Sequence, residues 1–137
     1  MIRHRSHLSE NLQRPEAMLN DASCFKRVII AAGYTDLRSG IDKLAAMIKF
    51  RYHLEPRDRN TLFLFCGRRA DRIKGLVWEG DGWLLLYKRV ELGQFSWPRS
   101  SSELHELSTE QFHSLMQGLE VVPKHPIRDA GDKPLLM

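Results

Sequence analysis

Residues 72–90, with the sequence RIKGLVWEGDGWLLLYKRV, predict a β-hairpin and thereby decide the class of fold. Two strand-like runs flank Asp81-Gly82, a residue pair that strongly favours a tight turn. With a loop of two residues, Trp78 lies opposite Leu85. With a loop of four residues, Glu79 to Gly82, the partners shift by two and the faces of the hairpin stay the same. Both registers are consistent with the sequence.

The two faces of this hairpin differ in chemistry in either register. One face is apolar and is predicted to pack on the core: Ile73, Gly75, Val77, Leu84, Leu86 and Val90. The other face mixes cations with aromatic and aliphatic side chains: Arg72, Lys74, Leu76, Trp78, Leu85, Tyr87 and Arg89. We therefore expect the apolar side to turn inward and the basic side to stay open.

Upstream of the hairpin, the pattern predicts two further strands and a helix. Lys26–Ala32 is a short β-branched run. Thr61–Cys66 is apolar on both alternating sets, which predicts a central strand buried on both faces. Between them lies the apolar face of an amphipathic helix, for which Thr35 or Asp36 is the predicted cap. That face comprises Leu37, Ile41, Leu44 and Ile48.

Downstream, Phe95–Trp97 predicts a short strand before Pro98, and residues 100–102 predict a linker. Ser108 and Gln111 form a capping box, which predicts the start of a second helix. Leu107 and Phe112 supply the hydrophobic staple at the same point. Gly118 suits the left-handed conformation at the end of this helix.

These elements predict an α+β fold in one domain. We expect a small, mainly antiparallel sheet of four to five strands, with a central β-hairpin and two helices covering one face. We predict that residues 1–22 form a flexible N-terminal tail, that residues 23–122 form the single domain, and that residues 123–137 form a disordered C-terminal tail. Met18 is a candidate start of translation, which would leave residues 1–17 outside the native protein.

Composition narrows the class of protein. The 137 residues suffice for one domain, and 42% hydrophobic with 28% charged content is ordinary for a globular protein. Cys24 and Cys66 lack CxxC spacing and are expected to remain thiols. No apolar run approaches the length of about 20 residues that crosses a membrane, and the N-terminus lacks the apolar stretch of a secretory signal. We expect a cytoplasmic protein without membrane contact.

The distribution of charge indicates a polyanionic or acidic partner. The net charge of the chain is +4, and the segment between Cys66 and Val90, with six basic and three acidic residues, carries +3 of it. Clustered positive charge is typical of phosphate-binding surfaces. The candidate contacts are Arg68, Arg69, Arg72, Lys74, Trp78, Tyr87, Lys88 and Arg89. In the alternative interpretation, Trp78 and Tyr87 pack beneath the helices and the cations only keep a sheet edge soluble.

Catalytic signatures are absent from the sequence. It contains no phosphate-binding glycine loop, no dinucleotide fingerprint and no nucleophile elbow. The histidines are scattered, so we expect no metal site, no cofactor and no small-molecule substrate. The acids available to a two-metal nuclease are Asp36, Asp42, Asp71, Glu79 and Asp81. Asp36 and Asp42 have simpler roles at a helix cap and in its first turn, and Asp81 suits a tight turn. We predict a protein that is not an enzyme, with a metal-dependent nuclease as the less favoured alternative.

A family resemblance adds to this interpretation. The run FLFCGRRADRIKGLVWEGDGWLLLYKRVELGQFSWP, residues 63–98, is similar to the signature of the TnpB accessory proteins of IS66-type bacterial insertion sequences. GYTDLRSGIDKLAAMI, residues 33–48, resembles the N-terminal motif of that family, and LSTEQFHSLMQGLEV, residues 107–121, resembles its C-terminal helix. The likeness covers about residues 23–122. The family is distinct from the RNA-guided nuclease that shares the name TnpB.

The resemblance implies an accessory protein encoded beside a separate, larger transposase and needed for full transposition. It supplies no catalytic residues. The residues that match the family's motifs are Asp36, Arg38, Gly40, Arg68, Arg69, Asp71, Arg72, Lys74, Asp81, Gly82, Tyr87, Lys88, Arg89, Trp97 and Pro98. We therefore expect contact with DNA at the insertion-sequence ends, with the transposase, or with both, through a basic hairpin surface. An interaction module without direct DNA contact is the alternative.

Overall fold

A computed structural model describes residue 19 and residues 24–118, which form a five-stranded sheet and two helices. The strands are Arg27–Ala31 (β1), Thr61–Cys66 (β2), Arg72–Trp78 (β3), Trp83–Arg89 (β4) and Leu104–Leu107 (β5). The helices are Ile41–Ala46 (α1), which continues as a π-helical segment over Met47–Arg51, and Thr109–Met116 (α2).

The sheet has the strand order β4-β3-β2-β1-β5 and is mainly antiparallel, which confirms the predicted fold class. Only β1 and β2 run parallel to each other, and α1 makes the crossover between them. β2 lies in the middle and is buried along its whole length, as the continuous apolar run predicts. The hairpin β3-β4, central in the chain, lies at one side of the sheet with β4 as an edge strand.

The two helices cover opposite faces of the sheet, so the expectation that both cover one face is wrong. Leu44 and Ile48 pack with Phe63 and other residues of one face, whereas Phe112 packs with Leu64 and other residues of the second face. The physical reason lies in β2, whose side chains are apolar on both sides. A central strand of that kind needs a cover on each face, and one helix goes to each.

Of the two predicted registers, the structure has the one with a loop of four residues, Glu79 to Gly82. Trp78 pairs with Trp83, Leu76 with Leu85 and Arg72 with Arg89, and Glu79 N–H donates to the Gly82 carbonyl at 2.9 Å. The predicted apolar side packs on the core face that α2 covers. The basic side does not stay open along its length, because Leu76 and Leu85 pack in the cluster under α1. Only its ends remain accessible.

Two predicted elements after the hairpin differ from the structure. Phe95–Trp97 is not a strand but an irregular segment that buries Phe95 and Trp97, and Trp97 Nε1 donates to the Ala31 carbonyl at 2.9 Å. The fifth strand is β5, which pairs antiparallel with β1. β5 satisfies the outer edge of β1, and this pairing leaves the Phe95–Trp97 segment to fill the core with side chains instead.

The helix caps were predicted with mixed success. The N-cap of α1 is Gly40, not Thr35 or Asp36, because Asp36 Oδ1 accepts a hydrogen bond from Arg38 N–H in the loop before the helix. The capping box of α2 is confirmed: Gln111 N–H donates to Ser108 Oγ at 3.1 Å, and Ser108 N–H donates to Gln111 Oε1 at 2.8 Å. Gly118 has a φ of +83°, the predicted left-handed conformation.

The tails predicted at residues 1–22 and 123–137 lie outside the described residues, apart from Leu19. Within the described part of the chain, neither helix has the length and apolar character needed to cross a bilayer.

Candidate functional site

The candidate site lies at the edge of the sheet where the parallel strands β1 and β2 end. Parallel strands place their carboxyl ends at the same edge, so residues 32–40 after β1 and residues 67–71 after β2 become neighbours. Thr35 N–H donates to the Cys66 carbonyl at 2.9 Å and joins the two loops. In open sheets with parallel strands, this edge is where ligands commonly bind.

Gly67 allows the two loops to approach closely. A Cβ atom at this position would lie 3.3 Å from Leu37 Cγ and 3.6 Å from the Thr35 carbonyl oxygen. Glycine therefore permits a contact that a larger residue would widen. As a result, the backbone of residues 67–69 lies directly against the loop that carries Tyr34 and Asp36.

Arg99 joins the same two loops through hydrogen bonds to their backbone carbonyls. Its Nη1 donates to the Gly33 carbonyl at 2.7 Å, and its Nη2 donates to the Gly67 carbonyl at 2.5 Å and to the Arg68 carbonyl at 3.3 Å. Its guanidinium carbon also lies 4.5 Å from the centroid of the Tyr34 ring. Arg99 is not recognisable from the sequence, because its acceptors are backbone carbonyls from two distant loops, which leave no side-chain pattern to detect.

The two loops border a concave space with a volume of about 640 Å³, which we call the arginine groove. It is lined by residues 34–38, residues 67–69, Arg72 and Tyr87. Four arginines and one carboxylate face it, so the groove carries a net positive charge. A second concavity of about 570 Å³ lies on the other side of residues 68–71 and shares Arg68 and Arg69 with the groove.

Two carboxylates at this edge are already paired with arginines. Arg38 Nη2 and Nε donate to the Asp36 carboxylate at 2.8 and 3.0 Å, and these bonds hold the pKa of Asp36 well below its usual value. Arg72 Nε and Nη2 donate to the two oxygens of Asp71 at 2.9 and 3.2 Å, which lowers the pKa of Asp71 and raises that of Arg72. Both acids are therefore ionised at neutral pH.

Arg68 and Arg69 are the cations of the groove that carboxylates engage least. Arg69 Nη2 lies 3.6 Å from Asp71 Oδ2, a long ion pair, and the Arg69 side chain is 75% exposed. Arg68 makes no carboxylate contact within the described residues, and its guanidinium carbon lies 4.8 Å from the centroid of the Tyr34 ring. The geometry therefore leaves two adjacent guanidinium groups able to bind an anion.

Comparison with known proteins identifies the family. The family model described as IS66 Orf2 like protein matches residues 26–126. The chain belongs to the IS66 Orf2-like family. Two uncharacterized proteins of Sinorhizobium fredii, y4hO and y4jC, are similar to it: y4hO is 36% identical over 73% of this chain and 84% of its own length, and y4jC is 30% identical over 69% and 80%. No solved structure shows significant similarity to the chain.

Membership in the IS66 Orf2-like family confirms the resemblance and indicates an accessory role in transposition of an insertion sequence. The structure adds that three separated parts of the motifs meet at one place. Asp36 and Arg38 come from the first motif, and the Arg68–Arg72 stretch and Tyr87 come from the second. Four of the seven cations of the motifs therefore line one groove: Arg38, Arg68, Arg69 and Arg72.

Four of the predicted contact residues lie away from the groove. Lys74 Nζ donates to the Ser39 carbonyl at 2.9 Å, and Arg89 pairs with Glu91 at 3.4 Å. Lys88 points to the opposite face of the hairpin from Tyr87, and burial lowers its pKa. Trp78 lies at the far end of β3, where its ring meets Trp83 at 5.0 Å. The groove thus combines Arg68, Arg69, Arg72 and Tyr87 out of the eight predicted residues.

Nucleophilic and metal-binding groups are sparse at this edge. Cys66 ends β2 beneath the loops, and burial raises its pKa to about 11, so the thiol stays protonated at neutral pH. In the part of the chain that the structure describes, no three histidine, cysteine or acidic side chains are grouped to hold a metal ion.

Proposed function

We propose that this protein is a non-catalytic accessory factor for transposition of a bacterial insertion sequence, and that it contacts DNA phosphates through the arginine groove. One observation supports the proposal above all: the exposed Arg68 and Arg69 both line the arginine groove. The other arginines of the groove are held by Asp36 and Asp71. Guanidinium groups bind phosphate oxygens in a bidentate manner, and they remain charged at every physiological pH.

The paired arginines support this function by shaping the surface. Arg38 and Arg72 are oriented by their carboxylates and form ion pairs of no net charge at the wall of the groove, so its excess charge comes from Arg68 and Arg69. Arg68 and Arg69 extend from the short loop between β2 and β3 and supply the contacts. Phosphate contacts of this kind position a protein on DNA without reading its sequence, so binding should be weakly sequence-selective.

An acidic surface on the transposase is the second candidate partner. The specific observation in its favour is Leu92, a large apolar side chain that is 91% exposed next to Gly93 in the lining of the second concavity. An exposed apolar residue beside arginines suits a protein interface, where a nonpolar centre is bordered by charge. In this alternative the same Arg68 and Arg69 meet carboxylates of the partner instead of phosphates.

The experiment compares charge reversal in the groove with the same change elsewhere. Labelled DNA that carries the insertion-sequence ends, and separately the purified transposase, is titrated with the full chain at two salt concentrations. The test variant is Arg68→Glu/Arg69→Glu. The matched control is Lys49→Glu/Arg51→Glu, two exposed cations of the π-helical segment, which runs toward the opposite edge of the sheet.

We expect the test variant to bind DNA about tenfold more weakly or worse, and its plot of log affinity against log salt to lose about two units of slope. The control variant should bind nearly as the natural chain does, and urea unfolding should be similar for all three. Equal binding of the two variants would contradict the assignment. The transposase would be favoured as the partner if the test variant lost transposase binding and the natural chain bound no DNA at low salt.

A further inference from the structure

Two tyrosines stand exposed at the walls of the arginine groove. Tyr34, in the loop after β1, is 58% exposed, and Tyr87, in β4, is 54% exposed. Each has an arginine beside it: the Arg68 guanidinium lies over the Tyr34 ring, and Tyr87 contributes to the raised pKa of Arg72. The groove therefore presents two aromatic rings, each with a guanidinium group beside it.

Tyr34 contacts the guanidinium groups of Arg68 and Arg99, at 4.8 and 4.5 Å from its ring centroid, and still leaves more than half of its surface exposed. Large aromatic side chains usually bury most of their surface in a core or an interface. Trp78 and Trp83, at the other end of the hairpin, show the usual arrangement, because each covers part of the other and Arg57 lies 5.1 Å from the Trp78 ring. Tyr34 and Tyr87 instead leave more than half of their surface open to a concave, positively charged space.

The position of the rings indicates the kind of ligand. Tyr34 follows β1 and Tyr87 lies in β4, and β1 and β4 are three strand spacings apart, on the order of 14 Å. The two rings come from different elements at the walls of the groove, so each can stack on a different base of the same strand. A duplex cannot use them, since its bases are stacked inside and its outer surface is convex.

We propose that the arginine groove binds unpaired nucleotides of single-stranded DNA, with one base stacked on Tyr34 and another on Tyr87. Arg69 contacts one phosphate of the strand, and the exposed Arg68 leaves the face of the Tyr34 ring to contact another, which opens that face to the base. Arg72, held by Asp71, positions Tyr87 at the wall of the groove. This inference rests on the proposed function, which it deepens from DNA in general to its single-stranded form. A positively charged groove with aromatic side chains for stacking is the usual means of holding a single strand.

The test measures the affinity of the full chain for a labelled strand of about 20 nucleotides and for the same strand annealed to its complement. The variants are Tyr34→Leu and Tyr87→Leu, which keep apolar bulk but remove the ring, and Tyr34→Phe and Tyr87→Phe, which keep the ring. We expect the single strand to bind more tightly than the duplex. Each leucine variant should lose roughly 5- to 140-fold in single-strand affinity and little in duplex affinity, and the phenylalanine variants should bind as the natural chain does.

The outcomes separate this inference from the proposed function. If duplex and single strand bind equally, and the leucine variants bind both like the natural chain while Arg68→Glu/Arg69→Glu does not, the inference is wrong and the proposed function stands. If neither form of DNA binds at low salt, both are wrong. A leucine variant that loses duplex and single-strand binding to the same extent also overturns the inference, and urea unfolding shows whether that variant is folded.

Discussion

Arg99, Arg72 and Arg69 lie at one edge of the sheet and meet different acceptors. Arg99 is directed inward, where it binds three backbone carbonyls of two loops. Arg72 is held by both oxygens of Asp71, while Arg69 makes only a long contact to that carboxylate and extends into solvent. The role of an arginine at this edge thus follows from the acceptors within its reach, which the residue type alone does not reveal.

Gly75 provides a residue-scale prediction for the core. A Cβ atom at this position would lie 3.0 Å from Leu62 Cδ1 and 3.3 Å from Leu64 Cδ2, inside the face that α2 covers. We expect Gly75→Ala to lower the free energy of unfolding by about 1–3 kcal/mol through overpacking, measured by urea denaturation. Gly82→Ala is the control, because nothing lies within 4 Å of the added atom there. Equal stability of the two variants would contradict the packing argument.

At the scale of elements, short connections position the groove. Residues 67–71 join the buried β2 to β3 in a tight turn, so their arginines project from a rigid base. The preceding strand is fully buried and therefore resists displacement, which makes it a stable support for exposed side chains. On the opposite face, α2 is fixed at its start by the capping box and by the staple between Leu107 and Phe112.

The capping box gives the prediction at this scale. Ser108→Ala removes the acceptor for Gln111 N–H and leaves the first turn of α2 uncapped. We expect a loss of about 0.5–2 kcal/mol in the free energy of unfolding, measured by urea denaturation with circular dichroism. Ser108→Asp supplies another good N-cap and should retain most of the stability. A loss as large with aspartate as with alanine would show that the cap is not the cause.

At the scale of the whole molecule, the edge of the sheet where β1 and β2 end differs in electrostatics from the edge where they begin. The edge that carries the arginine groove is left positive. Where β1 and β2 begin, Lys26 and Arg27 are instead paired with carboxylates. Lys26 Nζ lies 2.7 Å from Asp58, and Arg27 lies 3.4 Å from Asp58 and 3.0 Å from Glu106. Thr61 Oγ1 also donates to Asp58 at 3.0 Å. Lys26 and Arg27 are therefore neutralised within the domain, whereas Arg68 and Arg69 keep their charge available in the groove, which favours a polyanion there.

The Asp58 network predicts how stability depends on pH. The bond from Lys26, with smaller contributions from Thr61 and Arg27, lowers the pKa of Asp58 in the folded state below its unfolded value near 3.9. The stabilisation is therefore complete above that value, from about pH 5, and is lost as pH falls through the folded pKa. We expect Asp58→Asn to unfold about 1 kcal/mol more easily at pH 7, with a difference from the natural chain that shrinks below pH 5.

Urea denaturation at several pH values measures this difference. Asp81→Asn is the control, because the exposed Asp81 side chain has no hydrogen bond or ion pair within the described residues. A gap between Asp58→Asn and the natural chain that stays constant from pH 7 to pH 3 would contradict the argument.

Several features of the fold and the site follow from the sequence. The alternation in residues 72–90 fixes the faces of the hairpin, the continuous apolar run of β2 fixes its central place, and Ser108 with Gln111 fixes the start of α2. The motif arginines Arg68 and Arg69 were also selected from the sequence, and they line the groove. Each of these signals depends on residues a few positions apart, where local geometry and alternation determine the result.

The tertiary structure decides the rest. It places the helices on opposite faces, pairs β5 rather than Phe95–Trp97 with the sheet, and covers the middle of the basic side of the hairpin. It also brings Tyr34 to the groove and joins Arg99 to the Gly33 carbonyl, 66 positions away. The sequence by itself determined β1, β2, the hairpin and the start of α2, because those elements depend on near neighbours. Only the folded chain decided which surfaces are open, because exposure depends on what distant segments pack against.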